Sequence, residues 1–442
     1  MRKITYAAVI ISAAMLMSAA SCSKDRKSSS VVPHSGDTHE DMAEQELKVA
    51  VIENGNGKLD EALAEYDKAN DKVRLSITRY SYEDMQYTDA FNQLTREMLA
   101  GDCPDVVIAP PEGVLNMQRN GYLADLTPYM ENSDTVNPDD LLPNVRQAVN
   151  CDGTIPYVFP CFFYETYVSN EKNLGSEYEN WSYDEAMAAY ENADDRSCFP
   201  QGPTLWRYFL RNAGCEAIDF DSMSCNFSGD FKRTMDFLMK YPFDPADYEY
   251  KDMNDDTANS LCLTGISGIN MFAAADTYGL FGGETVTFTG YPSADGSGAF
   301  AAVDHLWAVP EYSGNKDAAW ALIENFFRLS EQKKMSLEYL TGVPVTESAL
   351  QALVYDTPAY VGMSLRSELL LPDSGEKMFI TDEAAEKLLD YSRSVRIELG
   401  YGNELDSMIG NEWQEVMHGN VSVEECINEL NNKVGLYLSE RK

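Results

Sequence analysis

Leu47-Lys48-Val49-Ala50-Val51-Ile52, closed by Glu53-Asn54-Gly55, is an apolar run ending in turn residues and reads as a buried strand. Residues 58–68 follow with Leu59, Ala62, Leu63 and Tyr66 at helical spacing. Val73, Leu75 and Ile77 then alternate with Arg74, Ser76 and Thr78, a half-exposed strand that ends at Tyr80. The stretch 82–99 puts Met85, Phe91, Leu94 and Met98 on one side of a helix, and Asp105-Val106-Val107-Ile108-Ala109 is a short apolar run of the kind buried in a parallel sheet. Strand, helix, strand, helix, strand at this spacing predicts a doubly wound α/β domain.

The chain continues far beyond that unit. At roughly 150 residues per domain, 442 residues suggest two or three domains. The middle, about 164–262, is richer in helix, with 181–190 and 231–239 its clearest segments. Val286-Thr287-Phe288-Thr289 reads as a strand and 290–298 as a loop. Asn315 is placed to cap a helix carrying Ala319, Leu322, Ile323, Phe326 and Phe327. Residues 381–400 read as a helix ending in Gly. Ser422-Val423-Glu424-Glu425 is a capping box that opens a last helix, whose buried stripe is Val423, Ile427, Leu430, Val434 and Tyr437.

Ahead of the first strand lie a short basic start, Met1-Arg2-Lys3, an apolar stretch over 4–20 and the small residues Ala19-Ala20-Ser21. This predicts a secretory signal peptide over 1–21. Cys22 follows in the manner of a bacterial lipobox, which makes it the lipidated first residue of the mature chain, although Ala19 stands where a larger aliphatic residue is usual. A cleaved signal with an incidental cysteine is the simpler alternative. Residues 22–46 hold little that can bury a core and read as a flexible tether spanning roughly 25–30 Å.

Charge and composition exclude more than they select. Thirty-four Lys+Arg against 72 Asp+Glu give a net charge of −38, which repels nucleic-acid phosphates and anionic membrane surfaces. With 44 % hydrophobic and 11 % aromatic residues the chain is too apolar for a disordered acidic polymer, so the acidity belongs to the surface of a globular protein. The four histidines are His34, His39, His305 and His418; there is no HExxH, no His pair at metal-ligand spacing and no GxSxG. Gly55-Asn56-Gly57 fails as a dinucleotide fingerprint because Asp60 occupies the third glycine position. No metal, cofactor or catalytic residue is therefore expected, with an acid pair of glycosidase type left as the enzymatic alternative. Beyond Cys22, the cysteines Cys103, Cys151, Cys161, Cys198, Cys215, Cys225, Cys262 and Cys426 show no CxxC spacing and read mostly as buried thiols, with room for one or two bridges.

Several stretches together resemble the extracellular solute-binding proteins of ABC importers, in the family-1 branch that includes maltose-binding protein. Gly101-Asp102-Cys103-Pro104-Asp105-Val106-Val107-Ile108, continuing to Gly121-Tyr122-Leu123-Ala124-Asp125-Leu126-Thr127-Pro128, is similar to that family's "G.PDV … G.L.DLTP" pattern. Asp152-Gly153-Thr154-Ile155-Pro156-Tyr157-Val158-Phe159-Pro160 with Asn170-Glu171-Lys172 resembles its "DGKIY.LP … NK" segment. Gly290-Tyr291-Pro292, Lys316-Asp317-Ala318-Ala319-Trp320 and Gly342-Val343-Pro344-Val345 follow in the family's order, and Ile409-Gly410-Asn411-Glu412-Trp413 is similar in layout. The resemblance implies a periplasmic-binding-protein-like fold of two doubly wound α/β lobes joined by a multi-crossing hinge. Ligand is then bound between the lobes and delivered to a membrane permease. On this reading 47–160 plus 266–310 form lobe I and 161–265 plus 311–442 form lobe II.

Ligands of open α/β sheets sit beyond the carboxyl ends of strands, which points to Asn54, Tyr80 and Glu112. Glu112 also lies where the maltose-binding relative carries a ligand-contacting acid. Phe163, Tyr164 and Glu165 follow the first crossover between lobes. Trp206 opens a helix of the second lobe, and Tyr291 and Asp295 occupy a loop after a strand; Trp307 and Trp320 read as packing. Aromatic faces and carboxylates suit the C–H faces and hydroxyls of a sugar. The expectation is thus a monomeric, non-enzymatic, lipid-anchored subunit of an ABC importer that captures a mono- or oligosaccharide outside the cell membrane. A surface glycoside hydrolase, or a binding protein that feeds a sensor, is the alternative.

Overall fold

The computed structural model describes residues 45–53, 57–81, 87–170, 181–194, 196, 199–242, 263–267, 286–296, 298, 300–336, 342–356 and 382–441. The expected signal, Cys22, most of the tether, Asn54, Cys198 and Cys262 lie outside them.

Strands β1 (Gln45–Glu53), β2 (Val73–Ser81) and β3 (Val106–Ala109) form a parallel sheet in the order β3-β1-β2, with helices Gly57–Ala69 and Tyr87–Leu99 between them in sequence. Leu47 and 49–52 are buried on both faces, as a central parallel strand requires, whereas β2 at the edge is mostly half-exposed. Pairing starts at Gln45↔Val73, two residues ahead of the expected boundary, so Gln45 and Glu46 belong to the sheet and not to the tether.

The chain leaves this sheet at Val158, which is bonded to Trp307, and enters the ten-residue strand β4 (Cys161–Asn170). Around β4 a second sheet assembles from β7 (Leu263–Ser267), β8 (Val286–Phe288), β9 (Phe300–Ala302) and β11 (Val343–Pro344), all antiparallel to it. Strand β12 (Arg396–Ile397) extends this sheet parallel to β9. A separate two-residue hairpin is formed by β5 (Ile218–Asp219) and β6 (Ser224–Cys225). The second sheet is thus mixed, where a second parallel winding was expected. Strand β10 (Leu306–Ala308) returns to the first sheet, antiparallel to β3.

This pairing corrects the expected lobe boundaries. Strands β7, β8 and β9 pair with β4, not with the first sheet. The Lys316–Asn325 helix and Phe326 belong with the first sheet: Phe326 packs on Trp307 and Tyr66 at 4.8 and 6.5 Å between ring centroids. Periodicity identifies a strand but not the sheet it joins, which is the physical reason for the difference. Among the described residues the chain passes between the sheets at 159–160 and 303–305, and it stands on different sheets before and after 337–341.

Two local expectations are also corrected. Asn315 precedes its helix without capping it, because its amide donates to Asp105 and its side-chain oxygen accepts from Gln45. The helix expected over 381–400 spans Asp382–Ser394 and gives way to β12, whose pairing with β9 replaces the helical hydrogen bonds. The Ser422 capping box is present, with both reciprocal bonds made. Trp307 and Trp320 are buried in packing.

At the second crossing His305 is half-buried, its ring bonded to the Ile52 backbone and its Nδ1 withdrawn from water without a partner among the described residues. Burial pushes its pKa from 6.5 down to about 4, so the folded protein holds it neutral. As pH falls through this window the unfolded chain takes up a proton that the folded one refuses. The resulting loss of stability is on the order of 3 kcal/mol by the time the folded pKa is reached. The variant His305→Gln should flatten the acid limb of a plot of Tm against pH over that window. Parallel curves for variant and wild type would contradict this origin.

Candidate ligand-binding cleft

The carboxyl ends of the first sheet carry the helix Pro111–Arg119, whose first turn is set by Pro111 at N1 and holds Glu112. Facing it from the other sheet's side are the helices Asn403–Met417 and Val423–Ser439. Between these helices and Tyr87–Leu99 lies a cavity of about 570 Å³. Phe91, Met408 and Leu436 give it apolar surface, and Glu112, Glu404 and Arg441 give it charge. Burial raises the Glu112 carboxyl above the usual carboxylate range, Glu404 adds like-charge repulsion, and its own backbone N–H and Arg441 work the other way. Gly402, which precedes the Asn403–Met417 helix, comes so close to Glu112 that a Cβ there would stand 1.6 Å from Oε1.

Contacts across this cavity come from the end of the last helix. The backbone carbonyl of Arg441 accepts from Arg119 at 3.2 Å, while the Arg441 guanidinium donates to Glu404 at 3.2 Å and lies 3.5 Å from the centroid of the Tyr437 ring. Tyr437 is buried, lines the cavity and leaves its hydroxyl without a partner among the described residues.

A smaller hollow of about 210 Å³ lies between the helices Pro203–Glu216 and Asn403–Met417, lined by Arg207, Arg211, Tyr401, Asp406 and Trp413. Arg207 donates to Glu165 on β4 at 3.1 Å and stands 3.9 Å from Asp406. Burial opposes its charge, but Glu165 and Asp406 outweigh that and hold the guanidinium protonated. Arg211 donates to the Glu165 carbonyl and lies over the rings of Tyr291 and Phe300, 4.9 and 4.5 Å from their centroids. Charged groups fixed this way by one another keep their hydrogen-bonding directions when a polar solute arrives.

The structure sorts the residues singled out in the sequence. Glu112 lines the larger cavity, and Glu165 adjoins the smaller one through Arg207. Phe163 is half-buried on β4 and pairs with Ala302, and Asp295 is exposed in its loop. Four aromatic residues expected as contact surfaces are packed among neighbours in this structure. Tyr80 is buried and spends its hydroxyl on Glu97. Tyr164 lies edge-on to Tyr391, Trp206 stacks on Trp413, and Tyr291 is fully buried against Tyr167. In each case tertiary neighbours cover a ring that the local sequence left free to face either way. Arg207, Arg211, Glu404 and Asp406 were not singled out, because each sits on an amphipathic helix, where charge on the polar face is the ordinary expectation, and Arg441 because it follows the last helix among other charged residues. Tyr437 was read as part of a buried stripe and is buried, and its hydroxyl is buried with it.

Among the described residues no cluster of three or more His, Cys, Asp or Glu side chains is placed to hold a metal ion, and no helix is long and apolar enough to cross a membrane. Cys103, Cys151, Cys161, Cys215, Cys225 and Cys426 are unbridged; Cys161, Cys215 and Cys426 are buried.

Two α/β lobes, a chain that crosses between them repeatedly and a cavity at their junction define a protein of the periplasmic-binding-protein-like fold. The profile of the bacterial extracellular solute-binding proteins matches residues 61–361, and the chain belongs to that family. No curated protein sequence matches it. Among solved structures it is similar to the sugar-binding protein MalE of Xanthomonas citri, with 17% identity and a TM-score of 0.58 over 90% of this chain and 98% of that one. It is also similar to an ABC substrate-binding protein of Listeria monocytogenes in complex with cycloalternan (17% identity, TM-score 0.53, 90% and 99% covered). A third similar structure is an extracellular solute-binding protein family 1 member from Alicyclobacillus acidocaldarius (13%, 0.57, 90% and 100%). Identities this low speak for a shared fold.

Proposed function

We propose that this protein is the lipid-anchored solute-binding subunit of an ABC importer, capturing a carbohydrate between its lobes and delivering it to membrane permease subunits. On this reading 45–158 with 306–334 make one lobe and 161–302 with 343–441 the other; Cys22 carries the lipid and 23–44 the tether. The observation that carries the reading is the cavity at Glu112. Apolar faces from Phe91, Met408 and Leu436 alternate there with fixed carboxylates and a guanidinium. A sugar presents the complementary surface, C–H faces flanked by hydroxyls that both donate and accept. The similar Xanthomonas citri protein is sugar-binding and the similar Listeria monocytogenes protein is in complex with cycloalternan, which supports the same class.

A thermal-shift screen of mono- and oligosaccharides tests this. A ligand at one hundred times its Kd stabilises the folded state by about 2.7 kcal/mol, which raises Tm by several degrees. A shift with a saccharide is expected. A clear shift with another solute class and with no saccharide would refute the carbohydrate assignment.

A further inference from the structure

Among the described residues, the walls of the cavity at Glu112 do not balance their own charge. Lys433 is turned to Glu412 and Glu429, at 2.5 and 3.3 Å, neither of which lines the cavity. Arg441 is committed to Glu404 at 3.2 Å and to the face of Tyr437. Two charged groups bear on Glu112: Glu404, which repels it, and Arg441, which Glu404 already holds. Beside it Tyr437, which also lines the cavity and is only 6 % exposed, has a buried hydroxyl with no partner among the described residues. A carboxylate and a hydroxyl withdrawn from water without a counter-charge are costly to keep, and a bound group that supplies the missing donors repays that cost.

We propose that the solute is an amino sugar or an oligosaccharide containing one, whose ammonium group is received by Glu112 with the Tyr437 hydroxyl as second acceptor. This rests on the carbohydrate reading above and narrows it. An ammonium has three donors and no acceptor, and its hydrogen bond to a carboxylate is charge-assisted. A neutral sugar satisfies the hydroxyl but leaves the carboxylate uncompensated, and a uronic acid adds a second negative charge to the first. The chain's net charge of −38 works in the same direction, since it draws cationic solutes and repels anionic ones.

Isothermal titration of the full chain with glucosamine trimer, its N-acetylated counterpart and maltotriose, at mildly acidic pH where the amines are charged, tests this. The glucosamine trimer should bind at least about tenfold more tightly than either neutral trimer, the factor expected of one charge-assisted hydrogen bond. The isosteric Glu112→Gln should remove most of that preference, and Tyr437→Phe part of it, with Tm of each unliganded variant close to wild type. Equal binding of the glucosamine and N-acetylated trimers, or a preference that survives Glu112→Gln, would overturn the amino-sugar inference and leave the carbohydrate reading standing. Failure of every saccharide to bind or to shift Tm would overturn both.

Discussion

Replacing Gln332 with alanine should cost about 3–5 kcal/mol of unfolding free energy, the largest loss expected from any single polar side chain described above. Gln332 is fully buried, and its amide ties together parts of the chain that belong to different crossings. Its Nε2 donates to the Pro160 carbonyl at 2.7 Å and to the Phe326 carbonyl at 2.8 Å, while its Oε1 accepts from the Val345 N–H at 2.8 Å. Pro160 precedes β4, Phe326 packs on the first sheet, and Val345 follows β11. Alanine would leave these three backbone groups without their partner at the junction of the lobes and open a void as well. Urea denaturation with the midpoint and slope fitted separately measures the effect. A loss below about 1 kcal/mol would show that water or a neighbour replaces the amide and that it is not what pins the hinge.

The second large effect is expected in binding, with little change in folding. Gly402 has φ −89° and ψ 175°, extended backbone that alanine adopts without strain. Its Cβ would nevertheless stand 1.6 Å from Oε1 and 2.6 Å from Cδ of Glu112 on the opposing lobe. Gly402→Ala must therefore displace the Glu112 carboxylate or hold the lobes apart. Affinity for a solute that this cavity receives should fall at least about tenfold, roughly 1.4 kcal/mol, while Tm of the unliganded protein stays near wild type. In a Glu112→Ala background the same substitution should cost little, so a double-mutant cycle isolates the contact. An equal loss in both backgrounds would mean that the glycine acts through something other than Glu112.

The parts of the fold that local chemistry decides were legible in the residues. Leu47 and 49–52, like 106–109, are continuous apolar runs because both faces of the sheet are covered, and they are central parallel strands. The Ser422 capping box closes a helix start with its own side chains and needs no tertiary partner. The failures lie where a distant group competes for the local one. Asn315 would cap its helix if Gln45 did not donate to its side-chain oxygen while Asp105 holds its amide nitrogen, and the 382–394 helix stops where β9 offers 396–397 a strand partner.

The site divides along the same line. Glu112 could be found from sequence because its place, one turn past a parallel strand, is a property of a single strand–helix unit. Glu404, Tyr437 and Arg441 reach the same cavity from the other end of the chain, and no spacing rule relates them to Glu112. By itself the sequence determined that this is an α/β protein of the solute-binding family, acidic on its surface, with a first lobe that opens on alternating strands and helices. Only the tertiary structure decided which sheet each late strand joins, which aromatic rings are covered, and which charges meet across the cleft. Periodicity and capping are interactions between near neighbours, recorded in every short window of sequence. Strand partnership, burial and charge compensation are set by residues brought together by repeated passage of the chain between the lobes.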